Sequence, residues 1–181
     1  MAHKQQADFC LRVKNKFPSF FENTKVVLDV GSLDINGSNK TLFAVGTNYT
    51  GIDLAPGKNV DAISKGHEWG APDNHYDTII STECFEHDMF YEKTFQNIIR
   101  MLKPGGLFLF TCATTGRPEH GTRRTTSKDS PFTSSISDWE DYYKNLTELD
   151  VRAAIDVDLI FSTYHFEVGR EPFDLYFYGV T

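Results

Sequence analysis

At 181 residues the chain is long enough to bury a sizeable core in one domain, and its 40 % apolar and 14 % aromatic content excludes a disordered tail. A formal net charge of -7 argues against a general nucleic-acid binder, which would carry a basic surface. No run has the length of a membrane span or a signal-peptide core, and Cys10, Cys84 and Cys112 are odd in number without metal-type spacing, so a soluble, cytoplasmic chain with free thiols is expected.

Phe9, Val13 and Phe17 recur at helical spacing, which predicts an amphipathic helix over residues 4–16, stopped before Pro18. Residues 26–30, VVLDV, form a continuous apolar run of the kind a parallel sheet buries on both faces. This strand runs straight into the glycine turn GSLDING, residues 31–37. Residues 38–45 leave room for only a short helix before Gly46, and a second strand over 48–53 ends in Asp53. A strand closed by an acid and a glycine turn, followed by a second strand tipped with an acid, is how an open α/β sheet holds an adenosine-containing cofactor. The glycines let backbone approach the ligand, and the second carboxylate takes the ribose hydroxyls.

Residues 59–63 allow a short third strand, with no full helix on either side. The turn residues Pro72, Asp73 and Asn74 introduce a fourth strand over 76–81. Residues 90–102 carry Phe95, Ile98, Ile99 and Leu102 on one stripe, a core-facing helix that Lys103, Pro104 and Gly105 should end as a C-cap. A fifth strand follows over 107–112. From Ala113 to Ile136 the chain turns polar, and a loop of that length inside a compact domain is commonly functional. Two capping-box patterns, Ser137-x-x-Glu140 and Thr147-x-x-Asp150, predict two short helices. Residues 159–168 and 173–180, rich in aromatic and β-branched side chains and separated by Gly169, Arg170 and Glu171, read as an antiparallel hairpin.

With VVLDVGSLDING, YTGID, YDTIISTECFEH and MLKPGGLFLFTC in this order, the chain resembles the class I S-adenosylmethionine (SAM)-dependent methyltransferases, in particular the small type 11-like group. The resemblance covers residues 25–115 motif by motif. It implies an α/β Rossmann-like three-layer sandwich, a mostly parallel seven-stranded sheet with a C-terminal antiparallel hairpin, spanning residues 1–181 as one domain. Residues 113–156 would be the substrate loop and its short helices.

The resemblance also implies a set of cofactor contacts. Asp29 would lie near the amino group of SAM, with Gly31, Ser32, Asn36 and Gly37 in the close-approach loop. Asp53 would hold the ribose and Leu54 would pack on the adenine. His67 and Glu68 are candidates for the adenine edge, and Ser81, Thr82 and Glu83 leave the fourth strand under the methionine part. NAD fits less well, because GSLDING does not make the GxGxxG pattern and no long helix follows it.

Methyl transfer is an in-line displacement that yields S-adenosylhomocysteine (SAH), so the protein must align the acceptor and, where needed, remove a proton. His87 and His120 are the candidate bases, since imidazole titrates near neutral pH. Tyr142 and Tyr143 are candidates for lining the acceptor pocket. Arg117, Arg123, Arg124 and Lys128 make the polar loop locally basic, which suggests a lid over an anionic small-molecule acceptor. Glu83-x-x-Glu86-His87, with His120, also resembles part of the divalent-metal site of small-RNA 3′-end methyltransferases. Metal-free relatives carry the same letters, and no metal ligand is assigned on the sequence. A SAM- or SAH-binding module without turnover is the alternative of a different class, and a metal-assisted RNA 3′-end methyltransferase is the third reading.

Overall fold

The computed structural model describes residues 3–181. Its elements in chain order are α1 (Lys4–Lys16), β1 (Val26–Val30), β2 (Asn48–Asp53), β3 (Ala62–Ile63), β4 (Tyr76–Thr82), α2 (Tyr91–Met101), β5 (Leu102–Ala113), α3 (Glu148–Ala154), α4 (Val157–Ile160), β6 (Thr163–Val168) and β7 (Asp174–Val180). The strands form one seven-stranded sheet in the order β3-β2-β1-β4-β5-β7-β6. β1 to β5 pair in parallel, and β7 is antiparallel to both β5 and β6.

Side-chain alternation divides the core into two layers. Leu28, Ile79, Phe108, Phe110 and Phe177 point to one face and pack under Phe95, Ile98 and Met101 of α2 and Val151 of α3. Their neighbours Val27, Ile80, Leu107, Leu109, Tyr176 and Tyr178 point to the other, under Phe9, Cys10 and Val13 of α1. A strand buried on both faces is mostly apolar, which is why these segments show no regular polar alternation. No helix among the described residues is long and apolar enough to cross a membrane.

Three local expectations are corrected. The residues from 159 do not begin a strand. Asp156 caps a short helix instead, accepting from the Leu159 amide at 3.1 Å, so β6 starts only at Thr163. Ser137-x-x-Glu140 forms a turn rather than a helix, because Asp138 sits at φ +71°. Gly105, at φ +73°, lies in an irregularity of β5, where the register jumps from Tyr76↔Leu102 to Thr78↔Leu107. Helix α2 is closed instead by the Leu102 amide on the Ile98 carbonyl. The second capping box holds: Thr147 and Asp150 exchange both bonds at the start of α3.

Candidate active site

After β1 the chain moves outward to β2 and β3, then returns to the other side of β1 to build β4. The carboxyl ends of β1 and β4 therefore diverge at a topological switch point, where open α/β sheets leave a crevice. A cleft of about 920 Å³, counted to its open mouth, lies there. Asp29, Gly31, Ser32, Asn36, Gly37, Asp53, Leu54, Thr82, Glu83 and His87 all line it.

Gly31 makes the turn out of β1 at φ +78°, and a Cβ at this position would stand 2.6 Å from the Cys84 Sγ. Only glycine lets the two strand tips come this close. Asp29 is 1 % exposed and accepts hydrogen bonds from the Tyr49 hydroxyl and from Asn39 Nδ2 at 3.3 Å. Asn39 also donates to Thr82 Oγ1 at 3.0 Å, tying the tips of β1 and β4 together. Burial raises the Asp29 carboxyl to about 7 against the pull of these hydrogen bonds, and the charge of Asp53 adds to the rise. Asp53 accepts from the amides of Leu33 at 2.9 Å and Leu54 at 2.7 Å, one on each oxygen. Burial raises its pKa, while the two amides oppose the rise. A carboxylate has about four lone-pair positions, so this clamp leaves acceptor capacity for a ligand.

Other predicted residues sit elsewhere. Ser81 donates to the Val30 carbonyl at 2.8 Å inside the sheet and does not border the cleft. His67 packs its ring on Phe90, 4.6 Å between centroids, and Glu68 faces Lys65 at 3.0 Å. Ser64 and Gly66 line the cleft in place of these two. The polar loop contributes Phe132 and the nearby Trp139 to the lining of the cleft, which sequence reasoning missed. A buried tryptophan in a polar run was the available signal, with Trp139 6 % exposed.

Past the cleft, the 83–87 segment carries two charged groups of different character. Glu83 sits at φ +52°, an uncommon conformation for a residue with a side chain. It accepts from Thr111 Oγ1 at 2.8 Å and faces His3 at 3.6 Å and Arg117 at 3.8 Å. Asp174, fully buried, pairs with His3 and with Arg117, each at 2.7 Å. Burial opposes the charge on His3, yet Asp174 and Glu83 hold its pKa up at about 9. The Gln6 amide contacts His3 Nδ1 at 3.3 Å in the neutral ring; protonation gives up that long contact for attraction to two carboxylates. Burial likewise opposes the Glu83 carboxylate, and His3 outweighs it, so its pKa is lowered.

Glu86 and His87, by contrast, are buried without such partners. Neither Glu86 oxygen and neither His87 nitrogen has a hydrogen-bond partner among the described residues. Burial, with the charge of Glu83, raises Glu86, and burial, with His120, pushes His87 down to about 3. His120 does not border the cleft; the loop folds it back so that its ring lies 5.1 Å from that of His87. Gly121, at φ +69°, makes this packing possible, since a Cβ there would meet the His87 ring at 2.6 Å. Tyr143 sets its ring edge-on to His120 at 5.1 Å and tilted against His87 at 5.5 Å. Tyr142, more than half buried from solvent, has its phenol pKa raised to about 12, chiefly by burial.

The predicted basic lid is internally neutralised. Arg117 belongs to the buried group just described, Arg123 pairs with Asp141 at 2.6 Å, and Arg124 pairs with Glu119 at 3.0 Å. Lys128 is exposed.

Comparison with known proteins agrees with this geometry. Phosphoethanolamine N-methyltransferase 2 of Caenorhabditis elegans is 25 % identical over 154 residues, 77 % of this chain and 33 % of that protein. The chain thus spans about a third of the length of this curated relative. Among solved structures, the PH0226 protein of Pyrococcus horikoshii superposes with TM-score 0.64 at 12 % identity, covering 97 % of this chain and 89 % of that one. The phosphoethanolamine N-methyltransferase 2 of Haemonchus contortus, solved with phosphomonomethylethanolamine and SAH, superposes with TM-score 0.60 at 20 % identity, covering 89 % of this chain and 38 % of that one. The same enzyme has also been solved with SAM. The family described as methyltransferase domain matches residues 1–145, and the chain belongs to it, within the class I SAM-dependent methyltransferases.

Proposed function

We propose that this chain, as a single methyltransferase domain in the cytoplasm, transfers the methyl group of SAM to an oxygen or nitrogen atom of a small-molecule acceptor. The observation that carries this reading is the pair of acids, Asp29 and Asp53, on neighbouring strand tips around one cleft with Gly31 between them. Asp53, fixed by two amides, would take the ribose hydroxyls, with Leu54 against the adenine. Asp29 would face the amino end of SAM. Thr82 and Glu83 would lie by the methionine part, and Ser32, Asn36 and Gly37 would complete the loop. A sulfonium is already activated, so alignment does most of the work and can contribute on the order of 7–11 kcal/mol.

His87 and His120 are proposed to face the acceptor. Burial favours the neutral form of both rings, so each offers a lone pair for the acceptor's proton. A nitrogen acceptor is supported by the relative named as a phosphoethanolamine N-methyltransferase. An anionic acceptor would have to draw Arg123 and Arg124 away from their acids, which makes residues 113–156 a selective wall rather than an open basic patch.

Isothermal titration with SAM and SAH tests the cofactor site. Asp53→Ala should weaken binding by about 2–3 kcal/mol, the scale of hydrogen bonds to a charged group. An unchanged affinity would move the cofactor elsewhere. Tight SAM binding with no transfer to any amine or hydroxyl acceptor would favour a binding module without turnover.

A further inference from the structure

Glu86, His87 and His120 offer one ligand atom each, and these atoms all lie within 4.8 Å of one another. Glu86 is 0 % exposed and His87 3 %. Buried polar atoms are normally hydrogen-bonded, so both oxygens of one carboxylate and both nitrogens of one imidazole left unpaired at the same point call for an explanation. His120 sharpens the case. Its Nδ1 lies 3.2 Å from the Pro118 carbonyl, which can only accept, so Nδ1 carries the proton and Nε2 keeps a bare lone pair. That lone pair faces Glu86 Oε1 at 3.9 Å. Two acceptors confront each other across a gap too long for a shared proton.

We propose that Glu86, His87 and His120 form a binding site for a divalent first-row transition cation beside the cofactor cleft. Zinc–nitrogen and zinc–oxygen bonds run about 2.0–2.2 Å, so one ion can bridge the 3.9 Å gap from His120 to Glu86. Two imidazoles with one carboxylate suit Mn²⁺, Fe²⁺, Co²⁺ or Zn²⁺ better than Mg²⁺ or Ca²⁺, which take oxygen shells. A ligating histidine commonly donates its other N–H to a backbone carbonyl, and His120 does so to Pro118. Three protein ligands leave coordination positions for solvent or for an acceptor oxygen, and His87 borders the cleft; with the ion bound, the His120 lone pair goes to the metal, and its role as a base belongs to the metal-free protein. The neighbouring group of His3, Glu83 and Asp174 takes no such ion, because Arg117 already fills that role at 2.7 Å from Asp174.

The site stands apart from the cofactor reading and is tested apart from it. The full chain is stripped with a chelator and titrated with Co²⁺ alone, following calorimetry and the visible absorption of the ion. One equivalent should bind. Glu86→Gln and His120→Gln should each weaken binding by more than about 100-fold, since loss of an outer-shell partner alone costs about 10–100-fold. His165→Gln, on the exposed face of β6, should leave it unchanged. In the unsubstituted chain, Mn²⁺ should broaden the ring protons of His87 and His120 before those of His165, a readout that does not depend on any variant folding. Absence of saturable binding, or binding equally strong in both variants, overturns the proposal. SAM binding in the stripped chain without Co²⁺ binding overturns this inference alone; Co²⁺ binding without SAM binding overturns the cofactor reading alone.

Discussion

Glu83 and Glu86 lie one turn apart on the same segment, both with carboxylates almost shut off from solvent, yet their surroundings are opposite. Glu83 and Asp174 meet His3, Arg117 and Thr111, so positive groups and donors answer both carboxylates. Glu86 meets two neutral imidazoles and no donor among the described residues. Taking a charge out of water costs several kcal/mol unless a partner compensates. The first group satisfies that condition from within the chain and can serve the fold. The second does not, and the proposed divalent ion would supply the missing partner.

The largest effect should come from breaking the satisfied group. Asp174→Asn leaves Arg117 and His3 facing Glu83 alone, and should lower stability by about 3–5 kcal/mol, read from the urea midpoint. A loss below about 1 kcal/mol would mean that the partners of Asp174 do not hold the fold together. A smaller effect should follow pH. The His3 pKa is raised from 6.5 in the unfolded chain to about 9, so its stabilisation is fully present below pH 6.5 and lost as pH rises through 9. His3→Gln should cost about 1–3 kcal/mol at pH 6 and much less at pH 10, measured by unfolding at both values. The smallest effect belongs to the unsatisfied group: in chelator-treated protein, Glu86→Gln should change stability by less than about 1 kcal/mol, since no native hydrogen bond is lost. A drop comparable to that of Asp174→Asn would show that Glu86 has a structural partner after all.

Much of the sheet was legible because strands buried on both faces are mostly apolar: Val26–Val30 is broken only by Asp29, and β5 runs unbroken from Leu107 to Phe110. Asp29, Gly31 and Asp53 were legible for a related reason: a ligand crevice at strand ends restricts the residues that can stand there. What the sequence hid depends on contacts distant along the chain. The 137–140 box has capping letters, but Trp139 is drawn into the core and Asp138 takes a left-handed turn, so no helix forms. The β-branched and aromatic run near residue 159 looked like strand until Asp156 capped it into α4. The arginines of the loop looked like a binding lid because their partners, Glu119, Asp141 and Asp174, cannot be matched to them from spacing. His67 and Glu68 occupied the right stretch for the adenine edge, but Phe90 and Lys65 hold them off the cleft.

β7 follows every other strand in the chain but takes an interior place in the sheet, between β5 and β6. While a ribosome is still delivering residues 174–180, β5 carries a bare edge of apolar residues and β6 has no neighbour to join. The nascent chain therefore cannot settle element by element as it emerges. It must wait for its last strand to slide in, and the same arrival brings Asp174 to Arg117 and His3. Closure of the sheet and neutralisation of its buried cations become a single late event, and a truncation anywhere before residue 174 should leave a sticky, chaperone-dependent product rather than a smaller folded one.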